Sequence, residues 1–594
     1  MASTNALFTG LSGLNANARL IDVIGNNISN VNTTAYKSNR VMFGSMFNRT
    51  FSIGSAPGVN TGGTNPGQVG LGVQASGTQR NFGNGAINAT GDSRDMAIEG
   101  EGFFVVQRGG GEQVYTRAGS FRPNSQNQLV TLSGERLMGY GVDARFNLDK
   151  SAINPVSIPL GSLTIAEPTT LAALQGNLNK NGSLPTHGAS VSLRGSASAG
   201  LGVITGASPA PSGANLVETS TRLVDLDDPA IAGTTTSLFA AGQTIRITGA
   251  QKGLTGVNAK NLPDSTLAIT GSTTMQDLMD FLQNAYGIVP GQTNPDGATT
   301  GITLDPATGV VSIVGNTGSL NDITLNPANM QLLDASGNQV QASLFSTTKA
   351  ASADGESVRT SFVAYDSLGT PVNINVGFSL ESTPGGTGSN WRWYAESGNP
   401  YSGSINLGSG TISFGTSGAL LTTTPLSISV SRAGTGAITP LTFDISLSSG
   451  SGGVTAFANT SGNSNLQAQQ VDGAAIGTLQ SFAVGDDGII TGAFTNGLSR
   501  TLGQVVLAKF SNPEGLVDLG GNLYRVGPNS GTAGIASPLD LGTGKIVGGA
   551  LELSNVDLGS EFLGLILAQT GYSASTRVIR TTDDLFQQLL SLGR

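Results

Sequence analysis

All 23 prolines fall between Pro57 and Pro538, so the first 56 and the last 56 of the 594 residues contain none. Proline lacks a backbone donor and breaks helix interiors, so two proline-free ends around a proline-bearing middle predict helical termini enclosing a different kind of fold. The residues agree with this. Positions 7, 11, 14, 18, 21, 25 and 28 read Leu, Leu, Leu, Ala, Ile, Gly and Ile, a heptad seam interrupted only at Gly25. A second seam runs through Leu558, Phe562, Leu565, Tyr572, Ile579, Phe586 and Leu590. Asn555 or Asp557 is placed to cap that helix, and Glu561 puts negative charge in its first turn. Outside the seams the faces are rich in Asn and Ser, and Gly10, Gly13 and Gly25 make the first helix marginal on its own in water. Residues 1–40 carry three basic residues against one acidic, and residues 551–594 carry three against five. The two ends are therefore expected to pair with each other and with neighbouring copies, ordering on assembly.

Between the ends the pattern changes to period two. The 86 glycines are about twice the usual ~7% share, without a collagen period, and suit many short strands joined by tight turns. Phe103-Phe104-Val105-Val106 reads as a buried strand. Val114–Phe121 and Gln128–Leu132 flank a Pro123-Asn124 turn. Thr478–Val484, Ile489–Thr495 and Leu498–Ala508 are separated by Asp486-Asp487-Gly488 and Asn496-Gly497, turns of the type I′ kind between β runs. Residues 186–345, with five basic against eleven acidic residues, look like an inserted module. Its one clear helix, Met275 to Tyr286, has Thr274 and Asp277 in capping-box positions and Gly287 as its stop. The expected architecture is multidomain and mainly β, with coiled-coil-like helical segments at both ends. Its expected parts are 1–70 (helix and extended linker) with 541–594 (closing helix), a β domain from 71–165 and 466–540, an outer β domain from 166–185 and 346–465, and the α+β insert 186–345.

Counting removes several chemistries. The chain has no Cys and one His, so disulfides, thiolate nucleophiles and multi-histidine metal sites drop out. His187, in Pro185-Thr186-His187-Gly188, reads as a loop residue. Gly70-Leu-Gly-Val-Gln-Ala75 matches a dinucleotide fingerprint only formally, and Gly542-Thr543-Gly544-Lys545 lacks the hydroxyl residue of a phosphate loop. Asp225-Leu-Asp-Asp228 and Asp486-Asp487-Gly488 lack calcium-loop spacing, and turn chemistry accounts for both. Two tryptophans, Trp391 and Trp393, are few for a sugar-binding cleft. A net charge of −9 argues against nucleic acid as a partner. No apolar run approaches ~20 residues, so no membrane insertion is expected, and the N-terminus lacks the basic start and apolar core of a secretory signal. No enzyme, cofactor or metal is expected.

The sharpest signal is Gly25-Asn-Asn-Ile-Ser-Asn-Val-Asn-Thr-Thr-Ala-Tyr-Lys37, which resembles the N-terminal signature of the bacterial flagellar axial proteins, the rod, hook and hook-associated subunits. Asn and Thr side chains there can bond their own backbone and stop a helix. Ala35 stands where the family usually has Gly. Gly102–Val106, Tyr115–Phe121, Val363–Pro371 and Gly503–Tyr524 resemble the hook branch in particular, and Gly549 to Leu592 resembles the shared closing helix.

The resemblance implies a structural subunit of a hollow, bendable helical tube, a universal joint that carries torque between rod and filament. It implies export without a cleaved signal through the flagellar type III apparatus, and a place outside the cell in the hook and basal body. The implied partners are further copies of the chain, the rod, the hook cap and the hook-associated junction proteins. Leu7, Leu11, Leu14, Ile21 and Ile28, with Phe562, Leu565, Tyr572, Ile579, Phe586 and Leu590, are the expected inner packing set. Asn26, Asn27, Asn30, Asn32, Thr33, Tyr36 and Lys37 are the signature residues, expected to position the chain as it leaves the first helix. A hook–filament junction protein and a distal rod protein are alternatives within the family. A secreted β-rich adhesin or glycan-binding enzyme is the alternative from another class, and it would not need seam-bearing ends.

Overall fold

In the computed structural model the described residues are 2–195, 200–204, 216–227, 237–254, 259–341, 343–385, 388–398, 405–422, 424–448, 452–460 and 462–592. Asp228, in one of the acidic runs dismissed above, lies outside them. The chain divides into two compact units, residues 1–164 with 478–594, and residues 165–477.

The first unit holds both terminal helices, α1 (Ala2–Ser29) and, at the other end of the chain, a 35-residue helix (Leu558–Leu592). The two run antiparallel, because the partner's number falls as the first rises. Gly10 faces Ile579, Gly13 faces Ser575, Asn17 faces Gly571, Ile24 faces Gly564, and Asn27 bonds Glu561. Glycine is what allows this approach. A Cβ at Gly13 would lie 2.8 Å from Ser575 Oγ, and one at Gly571 would lie 2.8 Å from Asn17 Oδ1. After α1 the chain forms a long two-part hairpin, in which Asn39–Ser45 pairs with Val73–Arg80 and Asn48–Ser52 pairs with Gly67–Gly70.

The β part of this unit is antiparallel around Phe103–Gln107, which pairs with Gln113–Thr116, Arg136–Val142 and Leu507–Lys509. Its aromatic core joins Phe82, Phe103, Tyr115, Phe510 and Tyr524, with ring centroids 4.8–5.9 Å apart in edge-on arrangements. The expected meander is present, with Ala474–Val484, Ile489–Phe494 and Ser499–Val505 pairing in order. Its turns differ from the expectation. Only Gly488 and Gly497 have positive φ, +76° and +82°, whereas a type I′ turn needs two such residues. Asp487 and Asn496 stay at negative φ, and the loops close through Gly488 N–H to the Gly485 carbonyl at 2.9 Å and Gly497 N–H to the Phe494 carbonyl at 3.0 Å.

The second unit contains two apolar cores. One is built by the sheets around Leu171–Asn177, Ser357–Tyr365, Pro371–Ser382, Ser389–Ser397 and Leu426–Val430, with Trp391 fully buried. The other belongs to residues 189–353 with Ile405, and includes α2 (Met275–Ala285). The capping box on α2 is complete: Asp277 N–H donates to Thr274 Oγ1 at 3.3 Å, and Thr274 N–H donates to Asp277 Oδ2 at 2.8 Å. Gly287 ends α2 at φ +60°. The long C-terminal helix is α3 hereafter.

Candidate assembly site

The signature segment folds into a knot of polar side chains that joins the exit of α1 to the entry of α3. Asn27, 1% exposed, makes the central contacts. Its Nδ2 donates to the Asn39 carbonyl at 2.8 Å and to Glu561 Oε1 at 2.9 Å, while its Oδ1 accepts from Asn39 N–H at 3.0 Å and Tyr36 OH at 3.3 Å. One amide thereby fixes two elements 534 residues apart in sequence. Asn26 and Asn30 cap the end of α1 locally, Asn30 Nδ2 donating to the Asn26 carbonyl and to its Oδ1, both at 2.9 Å. Thr33 Oγ1 donates to Asn30 Oδ1 at 3.1 Å, and Asn32 is exposed.

Ala35 carries the turn that follows. It is fully buried at φ +57°, and its N–H donates to the Glu552 carbonyl at 2.8 Å. The family's usual Gly has a physical reason here, because only Gly enters the left-handed region without steric cost.

Lys37 then enters the interior with no side-chain exposure. Its Nζ donates to Glu552 Oε1 at 2.6 Å and to the Gly83 carbonyl at 2.8 Å. Glu552 Oε1 also accepts Gly85 N–H at 2.9 Å, and Arg117 stands 3.5 Å from Oε2. Burial pushes the Lys37 ammonium below its ordinary value, and the Glu552 carboxylate pulls it back up. Burial likewise lowers Arg117, opposed by Glu552. The Tyr36 phenol is raised, chiefly by burial. Asn555 closes the knot: its Oδ1 accepts Ser38 N–H at 2.8 Å and its Nδ2 donates to the Asn81 carbonyl at 2.8 Å.

Of Asn555 and Asp557, both placed to cap α3, Asp557 takes the role, its Oδ1 accepting the Gly559 N–H at 2.9 Å. Glu552 and Arg117 were not singled out from sequence, although each lies in a segment that resembled the flagellar family. Nothing local marks them, since their partners are hundreds of residues away.

The apolar seam residues are placed differently. The α1–α3 contact line runs through Gly10, Gly13, Asn17, Ile24 and Asn27. Leu7, Leu14, Ile21 and Ile28 flank it half-buried, and Leu11 is exposed. On α3, Leu565, Ile579 and Phe586 are half-buried, whereas Phe562, Tyr572 and Leu590 are exposed. Beside them Leu563, Ile566 and Leu567 form a stripe facing away from α1, with Leu567 72% exposed. Phe8 on α1 is 66% exposed, and Phe47, Phe51, Ile53 and Val59 of the hairpin are also uncovered. Among the described residues no three His, Asp or Glu side chains group as a metal site, and no helix is long and apolar enough to cross a membrane.

Four family models match along the chain. A flagella basal body rod protein model covers residues 7–37, and the D1 domain model of the flagellar hook protein FlgE/F/G covers 97–183. The D2 domain model of flagellar basal body protein FlaE covers 332–474, and the C-terminal model of the flagellar basal body rod FlgEFG proteins covers 547–592. These matches define the class, the rod and hook proteins of the bacterial flagellum. The flagellar hook protein FlgE of Treponema pallidum is 27% identical over 99% of both chains, and that of Caulobacter vibrioides is 27% identical over the whole of both. The flagellar hook protein FlgE of Escherichia coli is 24% identical over 99% of this chain and 100% of its own. The chain belongs to the flagellar hook protein family and is a structural subunit of that kind.

Proposed function

We propose that this chain polymerises through the surface its two terminal helices leave uncovered, building the hollow tube of the flagellar hook. The observation that carries the reading is the apolar stripe of α1 and α3 that the α1–α3 pairing does not bury. Exposed large apolar side chains gathered on one helix pair are the kind of surface that marks an interaction face. A repeated head-to-tail contact between identical chains generates an open helical polymer rather than a closed ring.

In this reading the helix pair forms the inner layer, with Leu7, Leu11, Leu14, Ile21, Ile28, Phe562, Leu565, Tyr572, Ile579, Phe586 and Leu590 packing between copies. The polar knot at Asn27, Lys37 and Glu552 fixes the direction in which the chain leaves that layer. The β domains form the wall, and the Gly- and Thr-rich insert lies outermost, where neighbouring copies slide as the tube bends. Rod, hook cap and junction proteins are its end partners, and the type III export apparatus delivers it outside the cell. Deletion of residues 1–30 or 560–594 tests the reading by electron microscopy: the truncated chain is expected to stay soluble and to form no tubes. Tubes formed by either truncation would refute the role of the termini.

A further inference from the structure

In the second unit a buried cluster at the end of α2 has the parts of an amide-forming reaction. Lys252, 1% exposed, is ion-paired through Nζ with Oε1 of Glu396, which is itself enclosed in the strand Ser389–Ser397. Lys252 Nζ also donates to the Gly287 carbonyl at 3.4 Å. Asn316, 2% exposed, donates from Nδ2 to that same oxygen at 3.1 Å. Its Oδ1 accepts the Val289 N–H at 3.1 Å. The carboxamide is thus held from both sides and polarised at its oxygen, next to a lysine whose partner is a proton acceptor. Ile288, Ile323 and Ile405 exclude water around it.

We propose that Lys252 and Asn316 become joined by a spontaneous isopeptide bond, with Glu396 carrying the protons. Glu396 takes a proton from the Lys252 ammonium, and the freed amine attacks Cγ of Asn316. Negative charge developing on Oδ1 is met by the Val289 N–H, a preorganised donor in a low-dielectric site. Glu396 returns protons to Nδ2, the Cγ–Nδ2 bond breaks, and nitrogen leaves as ammonium while Glu396 ends as carboxylate. Atoms and charge balance with no oxidant or reductant. Enclosure of nucleophile, acceptor and carboxamide in one cluster converts a slow bimolecular reaction into an intramolecular one.

Charge in the cluster is one-sided: burial would raise the Glu396 carboxyl, but the cations around it hold it below the ordinary carboxylate range. Lys252, Lys260 and Arg359 all act on the single carboxylate of Glu396. Lys260 Nζ is enclosed without a hydrogen-bond partner. Bond formation removes one buried cation and leaves Glu396 facing the other two. The link would bolt the strand Gln251–Lys252 to the segment that follows Val310–Val314, adding a covalent tie inside a module of a load-bearing subunit.

Intact-mass spectrometry of the denatured full-length chain tests this. The folded protein is expected to weigh about 17 Da less than its sequence, the mass of one ammonia, and to yield a branched peptide joining residues 252 and 316. Asn316→Ala, shown by circular dichroism to be folded, should have its full sequence mass, and Glu396→Gln should slow or stop the loss. A wild-type chain of full mass after prolonged incubation at neutral pH would overturn the proposal. So would a 17 Da loss that persists in Asn316→Ala.

Discussion

Lys37 and Glu552, 515 residues apart, meet at 2.6 Å with no solvent exposure on either side chain. Removing one partner of a buried ion pair leaves an uncompensated charge, which typically costs about 3–5 kcal/mol. Lys37→Met and Glu552→Gln are each expected to lower the unfolding midpoint of the first unit by that order in urea titrations. Arg117 remains beside Glu552 in the Lys37 variant, so Lys37→Met is the milder of the two. The double variant should lose less than the sum of the singles. Single variants that cost under about 1 kcal/mol would show that the pair does not hold the knot together.

Ala35 sits buried at φ +57°. A non-glycine residue in the left-handed region costs about 1–2 kcal/mol, partly offset by the greater unfolded-state freedom of glycine. Ala35→Gly is therefore expected to change stability by no more than about 1 kcal/mol, towards greater stability. Ala35→Val, β-branched in the same conformation, should lose clearly more. Equilibrium unfolding of the three chains decides the order.

Two helical glycines on α1 should behave oppositely. A side chain at Gly13 meets Ser575, while a Cβ at Gly25 meets nothing within 4 Å. Gly25→Ala gains helix propensity worth about 0.5–1 kcal/mol. Gly13→Val overpacks the helix pair and is expected to cost about 1–3 kcal/mol. Thermal melts followed at 222 nm compare them directly, and a stabilising Gly13→Val would contradict close α1–α3 packing.

Asp366 in the second unit gives a pH dependence. Burial would raise its carboxyl, but Thr370 and Leu368 N–H groups at 2.9 and 3.0 Å and the Arg432 guanidinium at 2.8 Å overcome that and hold it below the ordinary carboxylate range. A carboxyl lowered on folding contributes stability above its unfolded value, near 3.9, and that contribution fades as pH falls through the folded value. Asp366→Asn should be destabilised at pH 7, and the gap to wild type should narrow below about pH 4. A gap that is constant with pH would exclude the linkage.

The stripe on α3 separates folding from assembly. Phe562 and Leu567 are half or more exposed in the single chain. Phe562→Gln with Leu567→Gln is expected to leave chain stability within about 0.5 kcal/mol at each site. Tube formation, scored by electron microscopy and sedimentation, should be lost. Normal tubes from this variant would place the contact elsewhere.

Proline distribution, hairpin turns and the capping box of α2 were legible because each is local: a missing donor, a glycine at a fixed offset, a Thr three residues before an Asp. The turn type was misread because Asp and Asn before Gly suit both a type I′ turn and a type I turn closed by a glycine bulge. Hydrophobic spacing located the helices but not the line along which they touch. That line is built on Gly10, Gly13, Gly564 and Gly571, where backbones approach closely and side-chain hydrophobicity is silent. In the signature segment the capping Asn residues could be read locally. The burial of Lys37 could not, because its counter-charge lies at the far end of the chain.

The antiparallel pairing of α1 with α3 also makes the first unit dependent on both ends of the chain. Asn27 and Lys37 find their partners only at Glu561 and Glu552, and Phe103–Gln107 finds one of its strand partners only at Leu507–Lys509. No N-terminal piece of the chain can close this junction by itself. The C-terminal stretch of the sequence is therefore the part that turns a set of separate strands and one marginal helix into a finished unit with a defined exit from α1.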